Sequence, residues 1–158
     1  MSMSAEILAL ELQNLTPTSD ESVAIQRITD SYAIFAEDAE ALTPILSTGI
    51  DLGKLAMAPA LVNISLPNNS ATILQAGILA FWSAVAGGLT LSFANATAIT
   101  PPTGNTGLAT SLQPIFNSNI STRASLEDAT EAIAVVIHAA AITGGTVTTP
   151  GPTITPIT

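Results

Sequence analysis

His138 is the sequence's only histidine, and so its one side chain that ordinarily titrates near neutral pH. It sits in Val135-Val-Ile-His-Ala-Ala140, with no acid within one helical turn. A general base needs an orienting partner, and a metal site needs further ligands. The expected role is therefore a packed residue near a helix C-terminus, where its charge is favoured. Glu37, Asp38 and Glu40 form the densest acidic cluster. Glu37 and Glu40 are three residues apart and would share a helix face, an arrangement that can hold a cation or do acid–base work. On a helix with an apolar stripe elsewhere, the expected reading is a solvated face. Gly104-Asn-Thr-Gly107 has the glycine spacing of a backbone-clamping RNA loop but no flanking Lys or Arg. No EF-hand loop, P-loop or nucleophile elbow occurs. The sequence therefore predicts no catalytic residue, no metal site and no cofactor.

Composition narrows the class further. Charged residues make up 9% of 158, against roughly 25% in typical soluble domains. The net charge is −9, and nine of the twelve acids lie at or before Asp51. The basic side chains are Arg27, Lys54 and Arg123 alone. Phosphate neutralisation needs clustered cations, so direct nucleic-acid binding is not expected. An anionic membrane surface is disfavoured for the same reason. There is no cysteine, which excludes disulfides and thiolate sites. The Met1-Ser-Met-Ser-Ala-Glu6 start lacks the basic segment of a secretory signal.

From Leu55 to Thr122 there is no Asp, Glu, Lys or Arg. Folded surfaces ordinarily carry a fair density of charge, so this stretch is expected to be covered, mainly by like or related subunits. Its centre is Ser70 to Ala86, closed by Gly87-Gly88. Ile73, Leu74, Ile78, Phe81, Trp82 and Val85 cover a wide arc, which predicts a buried helix capped by Ser70.

The other elements must surround that helix. Residues 4–14 read as a first helix capped by Ser4. Thr18-Ser-Asp-Glu21 reads as a capping box opening a second. Ile25, Ile28, Tyr32, Phe35, Ala39 and Leu42 form its stripe, and Pro44 ends it near Leu42. Residues 50–64 read as a weaker helix with Asp51 as its cap, interrupted by Gly53 and Pro59. Leu89 to Phe93 alternates like an extended link, and Ala98 to Pro102 reads as a rigid loop. Residues 107–117 read as a helix that Pro114 breaks or delays. Ser125-Leu-Glu-Asp128 is a capping box opening the last helix, with Leu126, Ala129, Ile133, Ile137 and Ala140 as its stripe.

Together these predict a mainly α protein: a bundle of about four to five helices over residues 1–145, followed by an extended Thr/Pro-rich arm over 146–158. The arm carries Val147, Ile154 and Ile157 and no charge, so it reads equally as a free tail or as a segment lying on a neighbouring subunit. Core packing is the first reading of Phe81 and Trp82; the sharper alternative, since tryptophan is enriched at interface hot spots, makes them candidate interface residues with Val147, Ile154 and Ile157. A membrane reading makes 71–93 a spanning segment by length. Gln75, Ser83, the glycine pair and the lack of flanking cations weaken it.

Trp82 within Phe-Trp-Ser-Ala-Val-Ala, Ala98-Ile-Thr-Pro-Pro102 with its glycine turn, and Ser125-Leu-Glu-Asp128 running through His138 to Gly144-Gly-Thr-Val147 carry a resemblance. Over roughly residues 70–150 the chain resembles small structural proteins of tailed bacteriophages, from the neck, tail or baseplate. That resemblance implies a non-catalytic virion subunit in a ring or arm-exchanged assembly, put together in the host cytoplasm. Its partners would be copies of itself and other virion proteins. The competing expectations are a small membrane protein of holin type and a small enzyme or ligand-binding domain.

Overall fold

Three of the helix starts follow from local capping chemistry. The computed structural model describes residues 2–64 and 69–158. Among these residues six α-helices form: α1 (Ala5–Gln13), α2 (Glu21–Glu37), α3 (Ser47–Ala60), α4 (Ser70–Gly88), α5 (Leu108–Thr122) and α6 (Leu126–Ala141). The protein is mainly helical, as expected, with about the expected number of helices. Ser4 caps α1 by accepting from the Glu6 backbone N–H at 3.2 Å. Ser125 caps α6 as read by accepting from Asp128 N–H at 3.1 Å, and its hydroxyl donates to the Asp128 carboxylate at 2.7 Å. For α2 the cap lies two residues later than expected. Asp20 Oδ1 accepts from Ser22 N–H at 2.9 Å, and Thr18 Oγ1 instead accepts from Asp20 N–H at 3.1 Å. An ionised carboxylate is the stronger acceptor at the positive end of a helix.

The second helix also stops earlier than Leu42, at Glu37. The chain then makes a minimal antiparallel pair, β1 (Glu40–Ala41) and β2 (Thr43–Pro44), with Leu42 alone at the turn. Pro44 holds Thr43 extended, which favours strand over helix here. Leu42 leaves the predicted stripe, takes φ +69° and is 65% exposed.

α3 and α4 form the tightest helix pair, running antiparallel, with α2 against α3. Gly53 and Gly77 make this approach possible. A Cβ at Gly53 would enter the Phe81 ring, and one at Gly77 would lie 2.6 Å from Leu61. The glycine that weakened the helix expectation for 50–64 is thus a contact surface. Asn69, not Ser70, takes the α4 cap position, and Asp51 lies within α3 rather than capping it. Gly88 leads into a 3₁₀ turn, Leu89–Leu91, in place of the expected extended link. Pro114 is accommodated inside α5. α6 is rotated slightly from the expected stripe: Thr130, Ala134, Ile137 and Ala141 are buried, and Leu126 faces solvent.

Residues 146–158 do not extend away from the body as an arm. β4 (Thr146–Thr149) and β5 (Thr153–Pro156) form a hairpin that pairs antiparallel with β3 (Ala98–Thr100) in the order β3-β4-β5. The expected loop at Ala98 is therefore a strand. Val147 and Ile157 are buried in the core, and Thr158 exchanges two 3.1 Å backbone hydrogen bonds with Glu40. β-branched Thr, Val and Ile favour pleated backbone, Pro150-Gly-Pro152 turns the chain, and Pro156 is tolerated on an edge strand.

Candidate functional site

Phe81 and Trp82, read first as core and alternatively as interface anchors, are both fully buried in the chain's own core. Trp82 Nε1–H donates to the Tyr32 hydroxyl at 2.8 Å, joining α4 to α2. The Tyr32 ring meets Phe81 edge-on at 5.1 Å and Phe35 at 5.5 Å. Burial raises the Tyr32 pKa far above the ordinary tyrosine value, and the bond from Trp82 only partly offsets this. Val147 and Ile157 are likewise core residues. Of the five candidates only Ile154, 66% exposed, is free to meet a partner. Apolarity alone does not distinguish a buried strand residue from an interface anchor.

The residues with chemical potential are not brought together. His138 Nε2 lies 3.1 Å from the Met3 carbonyl oxygen. A carbonyl only accepts, so this nitrogen carries a proton, and the ring fastens the N-terminal segment to α6. The other ring contact of His138 is an edge-on approach to Phe35 at 6.3 Å. Glu37 is exposed at the end of α2, while Glu40 lies in β1 and shares backbone bonds with Thr158. Among the described residues no group of three or more His, Asp or Glu could hold a metal ion. Gly104 to Gly107 lies in a 3₁₀ turn packed on α6.

Two other features stand out, and neither was visible in the sequence. The first is the outer surface of the uncharged stretch. α4 buries Ile78, Phe81, Trp82 and Val85 on one side but leaves Thr72, Ala76, Ser83 and Gly87 exposed. The expectation of an all-round buried helix is corrected: its faces differ little in polarity because the outward residues are small and uncharged, not because every face is covered. On neighbouring elements Leu55 is 75% exposed and Ile120 76%. Val62 and Leu91 are exposed too. Where α3 begins, the Leu46 N–H donates to the Ser92 carbonyl at 2.7 Å, setting Leu46 near Leu91 and Leu89.

The second feature is an apolar chamber of about 320 Å³ between α1, α2, α4, α5 and α6. Leu12, Ile28, Leu74, Phe116, Ile133 and Ile137 form much of its wall. Helical stripes of this kind read as core in a sequence, and only the packing shows that they do not fill the space between them. Compared with known proteins, the chain matches no family model, no curated protein and no solved structure at a significant level.

Proposed function

We propose that this chain is a structural subunit of a symmetric assembly, acting by protein–protein packing and without catalysis. The observation that carries this reading is the set of large apolar side chains exposed between residues 55 and 122, on a stretch with no ionisable group: Leu55, Val62, Leu89, Leu91 and Ile120. Apolar surface without interspersed charge favours association over solvation. The backbone adds a second indication. Leu42 and Leu89 hold φ of +69° and +40° while exposed, and a strained residue that contributes little to the core points to a role outside folding. The resemblance to neck, tail and baseplate proteins of tailed bacteriophages supports a virion as that assembly, with copies of the chain and other virion proteins as partners.

Light scattering across a concentration series tests the reading. The wild-type chain is expected to associate, and Leu55→Glu or Ile120→Glu to return it to monomer with unchanged helical content. A wild-type chain that stays monomeric at high concentration and binds no other subunit of its particle removes the proposal.

The holin-type alternative has one observation in its favour. Residues 70–91 are long and apolar enough to cross a membrane by length and composition. To span, α4 would have to withdraw Trp82 and Phe81 from Tyr32 and α3. Partition of the purified chain into detergent, with protease protection of 71–93 in vesicles, is the outcome that would favour it.

A further inference from the structure

We propose that the chamber between α1, α2, α4, α5 and α6 is a binding site for an uncharged hydrocarbon guest, such as a medium-length alkyl chain ending in a hydroxyl. Its volume of about 320 Å³ lies at the lower end of the roughly 300–1,000 Å³ typical of small-molecule sites. The wall is built from Leu, Ile and Phe side chains of five helices, so water gains almost no partners inside. Side chains facing such a space forgo dispersion contacts that a guest would restore.

The polar groups in the wall specify the charge of the guest. Thr130 Oγ1 is already committed to its own helix, at 2.8 Å from the Leu126 carbonyl and 3.0 Å from that of Glu127. Tyr32 is the one ionisable residue in the wall. Its hydroxyl accepts from Trp82, and among the described residues its own proton has no acceptor. The wall thus offers a guest neutral hydroxyls, those of Tyr32 and Ser70, and no cation. Arg27 lies in a neighbouring cleft that shares Leu15 and Ile28 with the chamber. Its guanidinium is engaged by the Thr16 carbonyl at 2.6 Å and the Thr16 hydroxyl at 2.7 Å. A chain of net charge −9 also repels anions in general. A neutral amphiphile is favoured over a carboxylate of the same length.

The test pairs 1-octanol with octanoate at pH 8, using calorimetry and thermal melts on the full chain. Octanol is expected to bind once per chain and raise Tm, with octanoate at least tenfold weaker. Leu74→Trp and Ile133→Trp fill the chamber from α4 and α6 and are expected to abolish octanol binding at retained helical content. A bromoalkanol supplies a readout on the unmodified chain, since it should saturably quench Trp82, the sole tryptophan. Failure of wild type to bind octanol and show quenching overturns the proposal. Equal binding of octanoate overturns the neutral class, and undiminished binding to both tryptophan variants overturns the location.

Discussion

Tyr32 and Trp82 each bring a polar atom into an apolar core, and each answers the other. Tyr32→Phe leaves the indole N–H buried without an acceptor, which should cost about 1–3 kcal/mol in a urea titration. The proton on Tyr32 also links stability to pH. Its native pKa is raised by burial, so the native state holds the proton more tightly than the unfolded chain. The associated stability is full below the unfolded value of about 10 and falls as pH rises above it. Because the chain has a single tyrosine, phenolate absorbance should appear together with loss of helix rather than at the ordinary pKa. Asp20 works in the opposite direction. Its carboxylate is held below the usual range by the Ser22 hydroxyl and then by the Val23 and Ser22 N–H groups. Its contribution is present above the ordinary carboxylate range and is lost as pH falls through the lowered native value. On the hairpin, Ile157 and Ile154 separate packing from exposure. Ile157→Ala should cost about 2–5 kcal/mol, whereas Ile154→Ala should stay within about 0.5 kcal/mol.

At the level of elements, the α3–α4 contact depends on a missing side chain. Gly53→Ala places a methyl in the Phe81 ring and should destabilise by about 1–3 kcal/mol despite the better helix propensity of alanine. A gain in stability would mean that the pair separates freely. Ser125→Ala should cost about 1 kcal/mol as loss of a helix cap. These elements also show what was readable in advance. The helices with clear stripes and caps, α1, α2 and α6, were legible because amphipathic spacing and capping chemistry are local, and α4 was legible as a long apolar run closed by a glycine pair. β3, β4 and β5 were not, because β3 pairs with a strand far away in the chain and Pro in the tail suggested unpaired chain. Pro150-Gly-Pro152 between two Thr-rich alternating runs was the available hairpin signal. Phe81, Trp82, Val147 and Ile157 are buried in the chain's own core, which apolarity in a sequence does not separate from an interface. The chamber lay beyond the reach of periodicity, which identifies buried faces but not how closely they meet.

Over the whole molecule, the proposed assembly and the strain at Leu42 make a joint prediction. Leu42→Asn relieves a left-handed leucine that costs about 1–2 kcal/mol, so melting should show a more stable chain. If Leu42 serves subunit contact, the same variant should associate less by light scattering; equal association would confine the role of Leu42 to the turn. The pairing of Thr158 with Glu40, and of β4 with β3, has a consequence for synthesis. Contacts spanning such separations form slowly and cannot begin before both partners exist. A ribosome elongating this chain would release most of the helical segments while the strand at Ala98 still lacked a mate and the edge at Glu40 stood open. Maturation should therefore be completed only after translation has passed residue 158, and a bulky fusion placed directly there would be expected to delay it.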